Sequence, residues 1–320
     1  MHLYFPQFAF TALDHTVHFF RTLASSTGTD KHFEGSANNF NAQLAIIGPT
    51  QVGGLLSAAS FGCLACQSYL YFARFTSDGF ALKTTVSAIT LIQLGQFICV
   101  ISTLWTMTVS TYGDPSQLSV LPLMADLSLL LSGFTVFIAQ SFYAFRLWKL
   151  TRSIFLPVFC EMISVVAYTS MVVLSSRAIS MTDLTTFINS QTVLIALSWM
   201  ARGVCDLTTT VGVAWSLKKR RVSDFNTVTM VDRLIYWTLE TALINSLISI
   251  VTTILFVLQK QNFVWFGVLL IWPNVVGNCL FASLNRRLLL QETRRASGGD
   301  IQRRGSSSNT ICFRAGATQS

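Results

Sequence analysis

Seven stretches of this chain, at about 48–72, 84–110, 118–147, 153–175, 189–217, 234–258 and 263–284, stay apolar for long enough to cross a bilayer as helix. A hydrocarbon core takes about 20 residues in that conformation. Polar turn residues separate the stretches: Ser77-Asp78-Gly79, Gly113-Asp114-Pro115, Asp183, Asp224 and Gln259 to Asn262. The pattern predicts an all-α polytopic membrane protein, a seven-transmembrane helix bundle over 47–287. An N-terminal arm at 1–46 and a tail at 288–320 flank it. In the arm, Phe10, Leu13, Val17 and Phe20 recur at helical spacing opposite Asp14, His15, His18 and Arg21. That reads either as an interfacial helix or as an unstructured lead-in. Gly53, Gly54 and Gly62 in the first stretch read as positions where another helix packs closely.

Composition agrees with the pattern. Apolar residues make up 52% of the 320, charged residues only 11%, and the mean hydropathy is +0.54. A soluble domain carries roughly twice that charge to keep its surface hydrated. The formal charge of +8 is gathered in short segments between the apolar stretches, so the basic residues read as topology signals and lipid headgroup contacts, with no nucleic-acid partner. Arg74 and Lys83, then Arg146, Lys149 and Arg152, then Lys218, Lys219, Arg220, Arg221 and Arg233, fall on the same side as the arginine-rich tail. The other side has only Arg21, Lys31, Arg177 and Lys260. The positive-inside rule then predicts the N-terminus outside and the C-terminus in the cytosol. The first six cysteines lie within apolar stretches, so no disulfide framework is expected.

Ionisable groups inside the stretches are costly unless satisfied. Arg202, Asp206, Glu161 and Glu240, joined by Asn245, Gln93 and Gln96, predict a polar network from the midplane to the cytosolic half, leaving Asp126 alone in the outer third. Arg202 and Asp206 stand i, i+4 and can pair on one helix face. The network is either a dry tie between helices or the lining of a wet transport or coupling path. On the cytosolic side, Lys218, Lys219, Arg220 and Arg221 could contact lipid headgroups or dock an acidic signalling partner. Ser297 and Ser306 follow paired arginines, as basophilic kinase sites do.

Several chemistries are absent from the sequence. The last stretch has no lysine for a retinal Schiff base, and it offers Pro273-Asn274 where rhodopsin-like receptors have the reverse order. No Walker loop, H-E-x-x-H or G-x-S-x-G occurs, and every histidine precedes residue 33. No enzyme activity, metal or cofactor is expected.

Particular residues carry a resemblance. They are Gln67 to Phe72 followed by Arg74, Phe75, Asp78 and Lys83; Tyr112-Gly113-Asp114-Pro115; Gln140 and Phe145 to Trp148; Asp206; Thr229 to Leu234; Glu240-Thr241; and Ala282 to Arg286. Over 48–287 the chain resembles an uncharacterised family of fungal, chiefly basidiomycete, seven-span membrane proteins whose C-terminal part is a domain of unknown function. Many relatives have Asp and His three apart where this chain has Gln93 and Gln96, and Gly where it has Ala242. The resemblance implies fold and topology, and neither an activity nor a cofactor. Three roles stay open: a receptor-like or sensory protein of the plasma membrane, a proton-linked or small-solute transporter using the buried carboxylates, and a lipid-organising structural protein.

Overall fold

The computed structural model describes residues 36–76, 78–110, 121–151, 154–180, 184–221, 228–260 and 262–285, without the side chains of 36–44, 150–151, 216–221 and 228–242. Seven helices account for nearly all of them: α1 (Ser36–Arg74), α2 (Phe80–Trp105), α3 (Leu123–Thr151), α4 (Phe155–Ile179), α5 (Leu184–Arg221), α6 (Val228–Leu258) and α7 (Val264–Asn285). A π-helical turn, Thr106–Ser110, prolongs α2. Each predicted stretch coincides with one of these helices over its described residues. α1, however, begins at Ser36, within the segment assigned to the arm.

Five helices are long and apolar enough to cross a membrane: Ala45–Arg74 of α1, α2 with its π turn, Leu123–Lys149 of α3, α4 and α7. The expected count of seven is therefore met only in part. α5 carries Arg202, Asp206, three successive threonines and a basic end, which lower its hydropathy. The described side chains of α6 form an apolar segment, Leu243–Leu258, that is shorter than a bilayer requires.

Burial is distributed as in a membrane protein. Leu91, Ile98, Phe159, Val166 and Val211 point outward, whereas Gln93, Ser128, Thr135, Ser249 and Thr252 are buried. In water that arrangement would expose the apolar surface and hide the polar groups, whereas hydrocarbon rewards it. The hydroxyls reach their own backbone: Thr103 donates to Cys99 O at 2.8 Å and Thr252 to Ile248 O at 2.7 Å.

The helices pack in chain order, with α7 drawn inside against α1, α2, α3 and α6. Its most apolar window is 89% buried, against 22% for α1. The α1–α7 approach is close because glycines meet there: a Cβ on Gly53 would lie 2.6 Å from the backbone of Gly267. Gly54 likewise faces Leu104, whose Cδ1 would be 2.5 Å from a Cβ, so both close-packing expectations hold. Gly62 is different, because a Cβ there would meet nothing within 4 Å. It lies on the outward face of the same helix.

Pro49 lacks an N–H, which leaves the Ala45 carbonyl without its helical donor. The backbone N–H of Phe263, just before α7, fills that place at 3.2 Å. This bond fixes the height of α7 against α1 at the end of the bundle where α3 and α5 begin. The opposite end holds Arg74, Lys83, Arg146 and Lys149 and is called the basic end below.

Candidate functional site

Among the described residues, the polar side chains inside the helices gather in three groups, which divide Gln93 and Gln96 from Glu161 and Asp206 and these from Arg202. The first ties α7 to α1 and α2. Gln93 donates to Pro273 O at 2.8 Å, and Gln96 to Leu270 O at 3.4 Å. Asn274 donates to Ser57 Oγ at 2.7 Å, while Asn278 accepts from Gln67 Nε2 at 3.1 Å and donates to Ser60 O at 2.8 Å. Nearer the basic end, Asn285 donates to Gln67 O at 3.0 Å and Arg146 to Ser283 Oγ at 2.8 Å. Pro273 removes a helical hydrogen bond from α7, and the carboxamides of α2 supply donors to carbonyls beside it. These bonds tie the helices together through the N–H donors, while Gln67 Oε1, Gln93 Oε1, Gln96 Oε1 and Asn274 Oδ1 stay buried without a hydrogen-bond partner.

The second group lies between α3, α4 and α5. Gln140 Nε2 donates to Cys205 Sγ at 2.9 Å, and Cys205 Sγ donates to Cys160 O at 3.3 Å. Thr209 donates to Cys160 Sγ at 3.6 Å, and Ser141 to Glu161 Oε1 at 2.7 Å. Asp206, 2% exposed, is within reach of the Gln140 carboxamide. Glu161 Oε2 is buried without a hydrogen-bond partner.

The third group surrounds a cavity. Between α3, α4, α5 and α7, at the end opposite the basic one, a partly open cavity of about 70 Å³ has Asp126, Ser175, Trp199, Phe263, Trp265 and Phe266 in its lining. A water needs roughly 10–15 Å³ by the same measure, so the space admits several waters or a slim apolar molecule. A second, smaller lobe of about 20 Å³ adjoins it on the inner side and shares Leu129, Met171, Trp199 and Leu269 in its lining. Arg202, Trp272, Ser132 and Gly133 form its floor.

Aromatic packing builds one wall. Trp199 of α5 meets Phe256 of α6 edge-on at 5.2 Å, and Trp265 of α7 closes the triangle at 5.2 Å from Phe256 and 6.0 Å from Trp199. Ser249 anchors the wall from α6 by donating to Trp199 O at 2.6 Å. Such edge-to-face rings favour a fixed arrangement over interchangeable ones.

Arg202 does not lie where its spacing from Asp206 suggested. Its guanidinium carbon stands 5.7 Å from the centroid of Trp272, and among the described residues no hydrogen bond joins it to Asp206. The aromatic face holds the cation instead. Part of its surface opens into the small lobe.

Of the other expected site residues, Asn245 is buried on α6 with its Oδ1 unpartnered. The side chains of Glu240, Lys218, Lys219, Arg220 and Arg221, and the whole of Ser297 and Ser306, lie outside the described residues. Nothing in the chain's pattern signals that Asp126, Trp199 and Trp265 line one cavity, because they come from three helices. Aromatic residues inside apolar stretches look alike whether they face lipid or a neighbour. The Cys160–Cys205 contact was hidden for the same reason.

Some residues that carried the family resemblance have structural duties. Tyr71 OH donates to Asp78 Oδ2 at 2.9 Å and Lys83 Nζ to Thr76 O at 2.7 Å, which closes the turn between α1 and α2. No curated protein and no solved structure matches the chain. Over residues 202–288, a narrower region than the resemblance suggested, the chain is similar to a family of unknown function, DUF6534, and it is an integral membrane protein of unknown function.

Proposed function

We propose that this protein is a receptor-like seven-helix membrane protein that binds a small apolar molecule in the cavity between α3, α4, α5 and α7. The observation that carries the reading is the cavity itself. It is aromatic-walled, reaches from the end opposite the basic one to the half-buried Arg202, and has ionisable groups at two depths. Small-molecule sites are mostly apolar concavities with a few placed polar groups. With α5 and α6 also spanning, and the basic end in the cytosol as the positive-inside rule requires, the cavity faces outward, as a sensor at the plasma membrane needs. No catalytic step is part of this reading.

Ser175 provides the test, since it lines the cavity and its Oγ is buried without a hydrogen-bond partner. Ser175→Leu fills space without breaking a hydrogen bond. In a thermal-shift panel of small apolar compounds on the detergent-solubilised protein, some compounds should raise the melting temperature of the wild type and none that of Ser175→Leu. Equal shifts in both proteins would refute the site. On the cytosolic side, the basic end of α5 at Lys218 to Arg221 is the proposed contact for an acidic partner. Neutralising all four should remove partners captured from membranes, and an unchanged set would refute that contact.

One observation favours a second reading, a proton-linked carrier. Glu161 keeps an unpartnered buried oxygen close to the buried Asp206 layer. In reconstituted vesicles such a carrier would pass protons or solute, and Glu161→Gln would stop it. Vesicles that stay tight with the wild type would dismiss this reading.

A further inference from the structure

The two lobes of the cavity differ in chemistry, and that difference specifies a ligand. Asp126 borders the larger lobe near the start of α3, and Arg202 floors the smaller one. Between them the lining is almost wholly apolar. On α5 alone it runs from Leu184 to Arg202, about 27 Å at the 1.5 Å helical rise. A space this long and of so little volume suits a flexible chain better than a fused ring system.

Arg202 has five N–H donors in a planar fork. Among the described residues none accepts a hydrogen bond from it: the ring of Trp272 holds its face, and Asp206 acts on it only through space. A half-buried guanidinium that opens into a cavity and meets no acceptor among the described residues suits an acceptor anion. Carboxylate matches the fork in two parallel hydrogen bonds and is small enough for a lobe of about 20 Å³. Asp126 settles the direction, because an anionic head placed in the upper lobe would face another carboxyl group.

We propose that the cavity takes a straight-chain aliphatic monocarboxylate, with the carboxylate on the guanidinium of Arg202 and the chain running back along Trp199 and Leu269 towards Asp126. This assignment rests on reading the cavity as a ligand site. A membrane phospholipid could offer the same aliphatic chain, but an inserted acyl tail has no charge to give Arg202. The head therefore separates the free acid from a lipid tail.

The experiment uses the full chain in nanodiscs of zwitterionic lipid and measures displacement of a fluorescent fatty acid by laurate and by dodecanol. Laurate should displace it saturably, and dodecanol at least about ten-fold more weakly, since a hydrogen bond to a charged group contributes on the order of 1.5–3 kcal/mol. Arg202→Gln should bind acid and alcohol alike, Arg202→Lys should keep a preference for the acid, and Ser175→Leu should bind neither. If the wild type does not distinguish laurate from dodecanol, or if Arg202→Gln keeps the preference, the carboxylate assignment falls while the ligand cavity stands. If neither compound binds, or if Ser175→Leu binds both as well as the wild type, the ligand cavity falls with it. Should Arg202→Gln fail to fold, acid against alcohol on the wild type and on Arg202→Lys decides the assignment alone.

Discussion

Gly53→Val is expected to cost about 3 kcal/mol or more, the upper end of what overpacking does, and to leave little folded protein. The added carbons would meet the backbone of Gly267, starting with a Cβ at 2.6 Å from its Cα. A side chain in the way can rotate, but a helix backbone cannot, so α1 and α7 must move apart. That separation also strains bonds that depend on the close approach, namely Phe263 N to Ala45 O and Asn274 to Ser57. The measurement is folded yield and melting temperature after purification, with Gly62→Val as the matched control. Position 62 on the same helix faces nothing within 4 Å, so its substitution should change stability by no more than about 0.5 kcal/mol. Equal behaviour of the two variants would mean that α1 and α7 do not meet through these glycines.

The second large effect concerns Asn278. Replacing it with Leu removes the acceptor of Gln67 Nε2 and the donor to Ser60 O, both between α1 and α7. Interhelical hydrogen bonds in membranes contribute about 0.6 kcal/mol each on average, and up to about 1.7. Gln67 would be left worse off than a simple sum implies, because its Oε1 already lacks a partner. A loss of about 2 kcal/mol in an unfolding titration is expected. A double-mutant cycle with Gln67→Met isolates the pair: the two losses should overlap, with the double variant costing less than the sum of the singles. Strict additivity would show that the carboxamides do not bond.

These two variants probe the same interface and differ in what made it legible. The glycines could be read as contact positions from their place in an apolar stretch, yet the sequence ranked Gly62 with Gly53 and Gly54. Only the rotation of α1 about its own axis separates them. Asn278 is a polar residue in an apolar stretch, but its partner lies far away in the chain, on a helix the sequence could not place beside α7.

The candidate site shows the same division more sharply. Gln93 and Gln96 were legible as groups that need partners; their N–H donors find carbonyls at and beside Pro273, while their Oε1 atoms stay buried without one. Arg202 and Asp206 were legible as a pair because four residues on a helix bring side chains to one face. In the folded chain Arg202 instead lies against Trp272, because α7 presents an aromatic face there and the cavity gives the long side chain room. Asp206 stays within reach of the Gln140 carboxamide on α3. Local spacing states which neighbours a side chain can reach, and packing chooses among them.

By itself the sequence determined the medium and the elements. Runs of apolar residues of bilayer length, with charge confined to the gaps, can satisfy their backbone in hydrocarbon only as helices, and that constraint is local to each run. The tertiary structure decided which helix is central, how the described polar residues are shared among three groups, and that Asp126, Trp199, Arg202 and Trp272 border adjoining lobes. Those outcomes depend on the rotation and neighbours of each helix. In a lipid-facing bundle hydropathy specifies them weakly, because an apolar side chain is equally at home against lipid and against another helix.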